Sequence, residues 1–360
     1  MARAHNSQSP SFYDLGNAAK WSYSPNLRAL FTSARDHRRQ FNIKAASSDR
    51  FKVHLLLIDE QKDFCFPEGT LYVGGRSGTG AIDDSRRTAE FIYRNLGVLT
   101  HITPTMDTHF PFQIFFPSFW VDEDGNPLQP HDMLAADLTI LRLGQPAGQA
   151  APNPAVAGFL CNGNYGWLRK QAQFYCEKLA EGGRYQLYIW PEHCMLGSDG
   201  HTLVGVVQEA RMFHSYVRQM QSEAEVKGGN PLTENYSIFS PEVLLRFDGQ
   251  VLASKNTRFI RTLMDADAVV IAGQAASHCV KSSIDHFLAE ILAQDPDLAK
   301  KVYVLEDCTS AVAVPNPSGG FFADFTPQAE EALQRYAGAG MNVVKSTDPI
   351  ESWPGMHVVV

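Results

Sequence analysis

The sequence lacks three features that would place it in other protein classes: a long apolar run, paired cysteines and a basic excess. No stretch approaches the ~20 apolar residues that a membrane-spanning helix needs, so we expect no membrane insertion. The net charge of −8 provides no basic surface for nucleic acid. Scattered cysteines predict neither a zinc ribbon nor a redox dithiol; they are Cys65, Cys161, Cys176, Cys194, Cys279 and Cys308.

A secretory signal is also missing, so we expect a cytoplasmic protein with reduced thiols. The first fifty residues contain Arg and Ser and few acids, which is faintly typical of an organelle transit peptide. Their aromatic and aliphatic content is more typical of an ordered arm that packs on a domain. We therefore predict an N-terminal extension over 1–50 and a main domain over 51–360.

What the sequence does contain is an alternation of short apolar strands with segments of helical periodicity. A hydrophobic content of 44% and a charged content of 19% are typical of a globular protein. Strands that alternate with helices predict a three-layer α/β/α domain with a mostly parallel sheet. The predicted strands are 53–58, 98–106, 224–226, 268–272, 302–305 and 342–344, and the predicted helices are 82–96, 203–220, 280–292 and 326–338.

The segment from about 121 to 184 does not follow this alternation. It is rich in Pro, Gly, Asn and Gln, and it contains one predicted helix, from Trp167 to Leu179. We interpret it as an insertion that covers one end of the sheet, with a simple surface excursion as the alternative.

Cys279 is the most informative residue of the chain. It follows the apolar run 268–272 and a turn of small residues, and helical periodicity begins directly after it. A thiol in the first turn of a helix lies near unpaired N–H groups and the positive end of the helix dipole. Both favour the nucleophilic thiolate. Alone, the pattern is equally compatible with a buried structural cysteine.

Polar residues follow several of the other predicted strands, where open α/β sheets bind their ligands. Asp59 follows the first strand, Asp107 and His109 follow the second, and Lys227 follows the short strand 224–226. His193 follows the apolar run 188–190. Each residue alone has an ordinary structural explanation, such as a helix cap or a satisfied core histidine. Their convergence at one sheet edge is what favours a functional site.

These residues form two chemically distinct sets. Cys279, Asp59 and Lys227 combine a nucleophile with a base and a charge partner. Asp107, His109 and His193 offer one oxygen and two nitrogen ligands, which suits one divalent ion, with Zn the first candidate and Mn or Fe the alternatives. Cys194 is a weaker candidate nucleophile because it adjoins a predicted ligand and lacks a strand–turn–helix context.

Taken together, the motifs resemble the cysteine-hydrolase superfamily of nicotinamidases and isochorismatases, and more closely its nicotinamidase branch. The similar segments occur in the family's order between about residues 53 and 310. They are the D-x-Q-x-D-F segment at 59–64, D-x-H at 107–109, W-P-x-H-C at 190–194, K-G at 227–228 followed by Y-S-x-F at 236–239, and the nucleophile turn G-x-x-x-x-x-C-V at 273–280.

The resemblance implies an isochorismatase-like fold with a six-stranded sheet and a cis peptide bond, here placed at Gln274–Ala275. It implies hydrolysis of a small amide through a Cys279 thioester, with the Ala275 and Cys279 N–H groups as oxyanion hole. Nicotinamide, converted to nicotinate and ammonia, is the first candidate substrate. Phe64, Trp120 and Trp190 are candidates for the apolar walls of the substrate pocket. Phe64 and Trp120 are equally compatible with core packing.

Several departures keep alternatives open. Relatives often carry Asp where this chain has Ser277, and the insertion is longer than in compact members, so it could shape a different pocket or form a homo-oligomer contact. Lys255 competes with Lys227 for the lysine role. The alternative functions are an isochorismatase-like or carbamoyl-amide hydrolase with another substrate, and a non-catalytic binding protein on the same fold.

Overall fold

A computed structural model of the chain describes residues 9–181, 185–316 and 318–357, so parts of the predicted extension (1–8) and insertion (182–184) lie outside the described residues. The strands are β1 Val53–Ile58, β2 Leu99–Asp107, β3 Trp120–Val121, β4 Met133–Leu134, β5 Thr139–Arg142, β6 Gln145–Gln149, β7 Ala151–Pro152, β8 Leu187–Tyr188, β9 Glu225–Lys227, β10 Ala268–Gly273, β11 Val302–Leu305, β12 Ala313–Pro315, β13 Phe321–Asp324 and β14 Asn342–Val344. The α-helices are α1 Leu27–Phe41, α2 Lys62–Cys65, α3 Gly80–Arg94, α4 Ala157–Cys161, α5 Tyr165–Glu181, α6 Gly205–Arg218, α7 Thr257–Met264, α8 Cys279–Gln294 and α9 Thr326–Gly338.

Over the described residues, six strands form the central sheet in the order β14-β11-β10-β1-β2-β9. The pairings of β1 with β10 and β2, and of β11 with β10 and β14, are all parallel. Every residue of β1 and β10 is buried, which explains their nearly continuous apolar sequences. The predicted α/β fold class with a six-stranded, mostly parallel sheet is therefore confirmed.

The order of the strands also defines where the chain reverses direction across the sheet. From β1 the chain moves through α3 to β2, whereas from β10 it moves through α8 to β11, on the opposite side. Because such crossovers are right-handed, α3 and α8 cover opposite faces. The topological switch point thus lies between β1 and β10, and open α/β sheets bind ligands beyond the carboxyl ends of such strands.

Several predicted strand and helix bounds differ from those of the structure by one or two residues, and others are the same. β1, β11 and β14 have the predicted bounds. Thr326 is the first residue of α9, and Phe325 occupies the N-cap position. The Asp324 carboxylate accepts the Thr326 N–H at 3.0 Å.

The chain divides into two compact units. The first runs up to Met106 and includes Asp199–Val226 and the chain from Thr257 onward. In this unit the described part of the arm packs through α1 on α6. Gly205, at the start of α6, allows a close approach: a Cβ atom there would lie 2.4 Å from the Tyr23 carbonyl oxygen. The Tyr23 hydroxyl donates to the buried Glu209 carboxylate.

The second unit comprises Asp107–Ser198 and Lys227–Asn256 and has a hydrophobic core of its own. It contains the four-stranded sheet β6-β5-β4-β8, whose pairings are antiparallel. The predicted helix Trp167–Leu179 is present as α5. The small strands were not predicted, because strands of two to five residues in Pro- and Gly-rich sequence leave no clear alternation. The division into a 1–50 extension and a 51–360 domain with an insertion stays a prediction.

Glu60, the residue after Asp59 in the first unit, is completely buried. Burial, together with the nearby Asp84 carboxylate, raises the pKa of Glu60 to about 8, against the opposing effect of the Thr88 and Ser85 hydroxyls. Glu60 therefore keeps its proton in the folded state at pH values where the unfolded chain has lost it.

We expect this proton to make the stability of the wild type fall as pH rises from about 4.5, the ordinary pKa, to about 8. Glu60→Gln removes the titration, so the variant should unfold at a higher temperature than the wild type at pH 8, with the difference shrinking toward pH 4.5. Thermal unfolding across this pH range measures the effect. Glu331→Gln, an exposed change in α9, is the control and should follow the wild type. Parallel curves for Glu60→Gln and the wild type would contradict the prediction.

Candidate functional site

Cys279 is the first residue of α8 and follows β10 through the turn 274–278, as predicted. The Gln274 N–H donates to the Ile58 carbonyl at 2.7 Å, which holds the start of the turn against the end of β1. The Ala276 N–H donates to the Ser310 carbonyl at 2.8 Å. The thiol is buried at the start of a 16-residue helix, whose dipole favours a negative charge on sulfur.

The approach of the turn to β1 requires a glycine. Gly273 has a φ of +118°, and a Cβ atom there would lie 2.0 Å from the Ile58 carbonyl oxygen. The next peptide bond, Gln274–Ala275, is cis, as the family resemblance implied. The glycine that opens the sequence motif is thus explained by a close backbone contact between β10 and β1.

Asp59 lies at the end of the neighbouring strand and is fully buried. The Thr105 hydroxyl accepts the Asp59 N–H at 3.0 Å and donates to the Asp59 carboxylate at 2.5 Å. This pair of bonds fixes the orientation of the carboxylate. The sequence analysis missed Thr105, because a threonine in β2 has the signature of any strand-forming residue.

Ser277, where relatives often carry Asp, takes part in the local structure of the turn. Its hydroxyl accepts the Val312 N–H at 3.0 Å and lies 2.9 Å from His278 Nδ1. The hydroxyl therefore joins the turn to the segment before β12.

In the second unit, Asp107, His109 and His193 form a buried cluster whose potential ligand atoms all lie within 4.8 Å of one another. The Asp107 carboxylate oxygen Oδ2 lies 3.0 Å from His109 Nε2 and 3.7 Å from His193 Nε2. These side chains are the three that the sequence predicted as metal ligands, and the structure brings them together.

The histidine rings are oriented by backbone carbonyl groups. His109 Nδ1 lies 3.2 Å from the Gly228 oxygen, and His193 Nδ1 lies 2.8 Å from the Pro191 oxygen. A carbonyl only accepts, so we assign the proton of each ring to Nδ1, which leaves Nε2 directed at Asp107. Metal-binding histidines use this arrangement, and the donor set therefore fits a divalent ion.

Lys227 compensates the charge of the buried Asp107. Its Nζ atom lies 3.0 Å from Asp107 Oδ1 and donates to the Asn235 carbonyl at 2.9 Å. Burial opposes ionisation of Asp107, but the neighbouring His109 and the Lys227 ammonium outweigh it and hold the pKa of the carboxyl well below its usual value. Burial lowers the pKa of His193, which favours the neutral imidazole that metals bind.

The origin of His193 differs from the prediction. We expected it to follow a strand at the edge of the same parallel sheet. The preceding strand, β8, instead pairs antiparallel with β4 in the four-stranded sheet. An apolar run of three residues does not specify which sheet it joins, since pairing partners depend on distant sequence.

The three aromatic candidates occupy different environments. Phe64 is buried in α2. Trp120 is fully buried in the core of the second unit, and its indole N–H donates to the Ile114 carbonyl at 2.5 Å, which favours a packing role. Trp190 is partly exposed, and its indole N–H donates to Glu234 Oε1 at 2.9 Å and to the Tyr236 hydroxyl at 3.0 Å.

The competing residues have less suitable surroundings. Cys194 is buried and does not begin a helix, and its carbonyl accepts the His109 N–H at 3.0 Å. Lys255 is exposed, whereas the Lys227 side chain is 2% exposed and makes an ion pair. These observations favour Cys279 and Lys227 over Cys194 and Lys255.

Comparison with known proteins gave matches among solved structures only. No family model and no curated protein matches the sequence. A nicotinamidase/pyrazinamidase of Acinetobacter baumanii aligns with 84% of this chain and 99% of its own, at 17% identity and a TM-score of 0.46. Yeast nicotinamidase bound to the inhibitor nicotinaldehyde aligns over 81% and 99%, at 17% identity and a TM-score of 0.47.

A third matching structure is the pyrazinamidase of Pyrococcus horikoshii in complex with zinc. It covers 82% of this chain and 99% of its own, at 17% identity and a TM-score of 0.40. The names of these proteins, nicotinamidase and pyrazinamidase, agree with the family that the sequence motifs resemble.

A glycine pair provides a test of the metal cluster. Gly228 has a φ of +89°, and a Cβ atom there would lie 2.6 Å from His109 Cε1 and 2.7 Å from Asp107 Oδ1. Gly228→Ala should therefore displace the ligands, and we expect its affinity for Zn²⁺ to fall at least about tenfold. Isothermal titration of metal-free protein with Zn²⁺ measures the affinity.

The neighbouring Gly229→Ala is the control, because its nearest contact would be Phe110 Cε2 at an ordinary 3.7 Å. It should bind Zn²⁺ like the wild type, at about one ion per chain. Equal affinities for the two variants would contradict the assignment of the cluster as a metal site.

Proposed function

We propose that this chain is a cysteine amidohydrolase that hydrolyses a small amide to a carboxylic acid and ammonia. One observation carries the proposal: a buried cysteine begins α8 directly after β10, and a buried carboxylate directly follows the adjacent strand β1. A nucleophile and a base thus flank the switch point of the sheet. The order of the sequence motifs supports the amidase assignment.

The reaction proceeds in two stages. Asp59 accepts the thiol proton of Cys279, and the sulfur attacks the amide carbonyl carbon. The N–H groups of Ala275 and Cys279 stabilise the oxyanion. Asp59 then protonates the departing nitrogen, so that the C–N bond breaks, ammonia leaves and a thioester remains. In the second stage Asp59 accepts a proton from water as the water oxygen attacks the thioester carbon. The C–S bond then breaks, the acid leaves, and Asp59 returns the proton to the Cys279 sulfur.

Lys227 and the metal cluster complete the proposed machinery. The family resemblance assigns Lys227 the role of charge partner of the nucleophile. Asp107, His109 and His193 would hold one divalent ion, Zn²⁺ first and Mn²⁺ or Fe²⁺ as alternatives. When bound, the ion would offer a donor atom of the substrate a fixed positive charge.

Nicotinamide is the first substrate to test, because the motifs resemble the nicotinamidase branch and a ring nitrogen suits a metal ligand. Phe64 and Trp190 stay candidates for the pocket wall. An isochorismatase-like or carbamoyl-amide substrate is the second candidate, favoured by Ser277 at a position where relatives carry Asp. No helix among the described residues has the length and apolar content of a membrane span. A cytoplasmic location and a homo-oligomer stay predictions.

The nucleophile is tested by Cys279→Ser. We expect ammonia release from nicotinamide, pyrazinamide and a panel of carbamoyl amides to fall by about 10³-fold or more, because the hydroxyl is a far weaker nucleophile than the thiolate. Ammonia is measured by a coupled assay on metal-loaded protein. Cys161→Ser, a change at a free cysteine of α4, is the control and should retain full activity.

Two outcomes would overturn the proposal. Undiminished activity in Cys279→Ser would remove the thioester mechanism. Absence of activity in the metal-loaded wild type across the whole panel, together with tight binding of one of these amides, would favour a non-catalytic binding protein.

A further inference from the structure

Asp84, on α3 in the first unit, is a buried carboxylate that the proposed mechanism does not use. Its side chain is 1% exposed. Asp84 Oδ2 accepts a hydrogen bond from the Gln274 side-chain amide at 2.9 Å, and Oδ1 accepts one from Arg87 at 2.7 Å. Gln274 is the first residue of the turn that leads to Cys279, so the carboxylate contacts the turn directly.

The Gln274 side chain continues this chain of hydrogen bonds on its other side. Gln274 Oε1 accepts the Ser310 N–H at 3.4 Å, and the Ser310 carbonyl accepts the Ala276 N–H at 2.8 Å. One carboxamide therefore ties the turn to α3 and to the segment after β11. The backbone on both sides of Ala275, whose N–H belongs to the proposed oxyanion hole, is held through these contacts.

Arg87 fixes the Asp84 carboxylate through Oδ1, the oxygen that does not contact Gln274. Its Nε atom donates to the Asp307 carbonyl. The Asp307 carboxylate in turn accepts the Ser346 N–H and hydroxyl, both at 2.8 Å. Because Arg87 has partners on two elements, the Asp84 carboxylate has a fixed orientation, which a lone surface carboxylate would lack.

We propose that Asp84 is a positioning residue for the nucleophile turn: through the Gln274 carboxamide it sets the position of the Ala275 N–H and the Cys279 thiol. This inference rests on the proposed function, whose chemistry the turn would serve. Asp84 acts through the turn and touches no reacting atom. Displacing the turn should therefore slow the chemical step and the reaction of the thiol, and leave substrate binding nearly unchanged.

The test compares Asp84→Ala and Asp84→Asn with Asp83→Ala. Asp83 is the preceding residue of α3, and its side chain is 38% exposed. Its carboxylate accepts hydrogen bonds from the Thr79 hydroxyl at 2.7 Å and from Arg86 at 3.4 Å, both on the same stretch of chain. The control thus removes the same charge from the same helix without touching the turn.

Two quantities are measured on metal-loaded full-length protein. The first is kcat and KM for the best amide of the panel. We expect kcat to fall roughly tenfold or more in Asp84→Ala, less in Asp84→Asn, and KM to change less than about twofold. The second is the rate of Cys279 alkylation by iodoacetamide across pH, followed by mass spectrometry of the Cys279 peptide. Its pH profile should shift in Asp84→Ala and remain that of the wild type in Asp83→Ala.

A purely structural role gives a different pattern. If Asp84→Ala only lowers the unfolding temperature, with kcat and the alkylation profile of the wild type, the inference is overturned. If Asp84→Ala does not fold, Gln274→Met is measured in its place, because it removes the hydrogen bond between Gln274 and Asp84 by changing Gln274 instead. If Asp84 acts through Gln274, the double variant Asp84→Asn/Gln274→Met should have a kcat no lower than the slower of the two single variants. Additive losses of kcat would contradict a role of Asp84 through Gln274.

The kinetic and alkylation measurements distinguish a failure of this inference from a failure of the proposed function. If the wild type hydrolyses no amide, the proposed function fails, while the alkylation profile still reports whether Asp84 controls the thiol. If the wild type is active and Asp84→Ala has the same kcat and the same alkylation profile, the proposed function stands and the role of Asp84 is refuted.

Discussion

The close parallel contact between the carboxyl ends of β1 and β10 is the constraint on which the proposed catalytic residues of the first unit depend. Gly273 lies so near the Ile58 carbonyl that no side chain fits between them, and the Gln274 N–H bonds to the same oxygen. From this contact the chain leads through the turn 274–278 into α8. Cys279 and Asp59 thus follow adjacent strands at the switch point, where helices on opposite faces leave the sheet edge open.

Buried charge governs the second unit in a comparable way. An isolated buried carboxylate such as Asp107 would cost several kcal/mol, so it persists only with compensating partners. Lys227 supplies the compensating charge, and the histidine Nδ1 atoms are directed toward backbone carbonyls. A cluster with this donor set, this orientation and this burial is well suited to hold a cation. Gly228 is needed because its backbone lies against both ligands.

The residues that sequence analysis missed share one property: they act on other residues. Thr105 orients Asp59, and Asp84 contacts the nucleophile turn through Gln274. A hydroxyl in a strand or a carboxylate in an amphipathic helix has no local signature, since its partner lies far away in the chain. The small antiparallel sheet of the second unit escaped detection for a related reason, because strands as short as β4 and β8 show no measurable period.

The sequence by itself determined the parallel α/β architecture, the bounds of β1, β11 and β14, and the identity of the candidate nucleophile and metal ligands. Local periodicity and short motifs carry that information, because both are written in neighbouring residues. Only the tertiary structure decided that Lys227 pairs with Asp107, that His193 follows a strand of a second sheet, and that Trp190 bonds to Glu234. Such contacts join residues that are distant in the chain, and they form only when the folded chain buries these groups together.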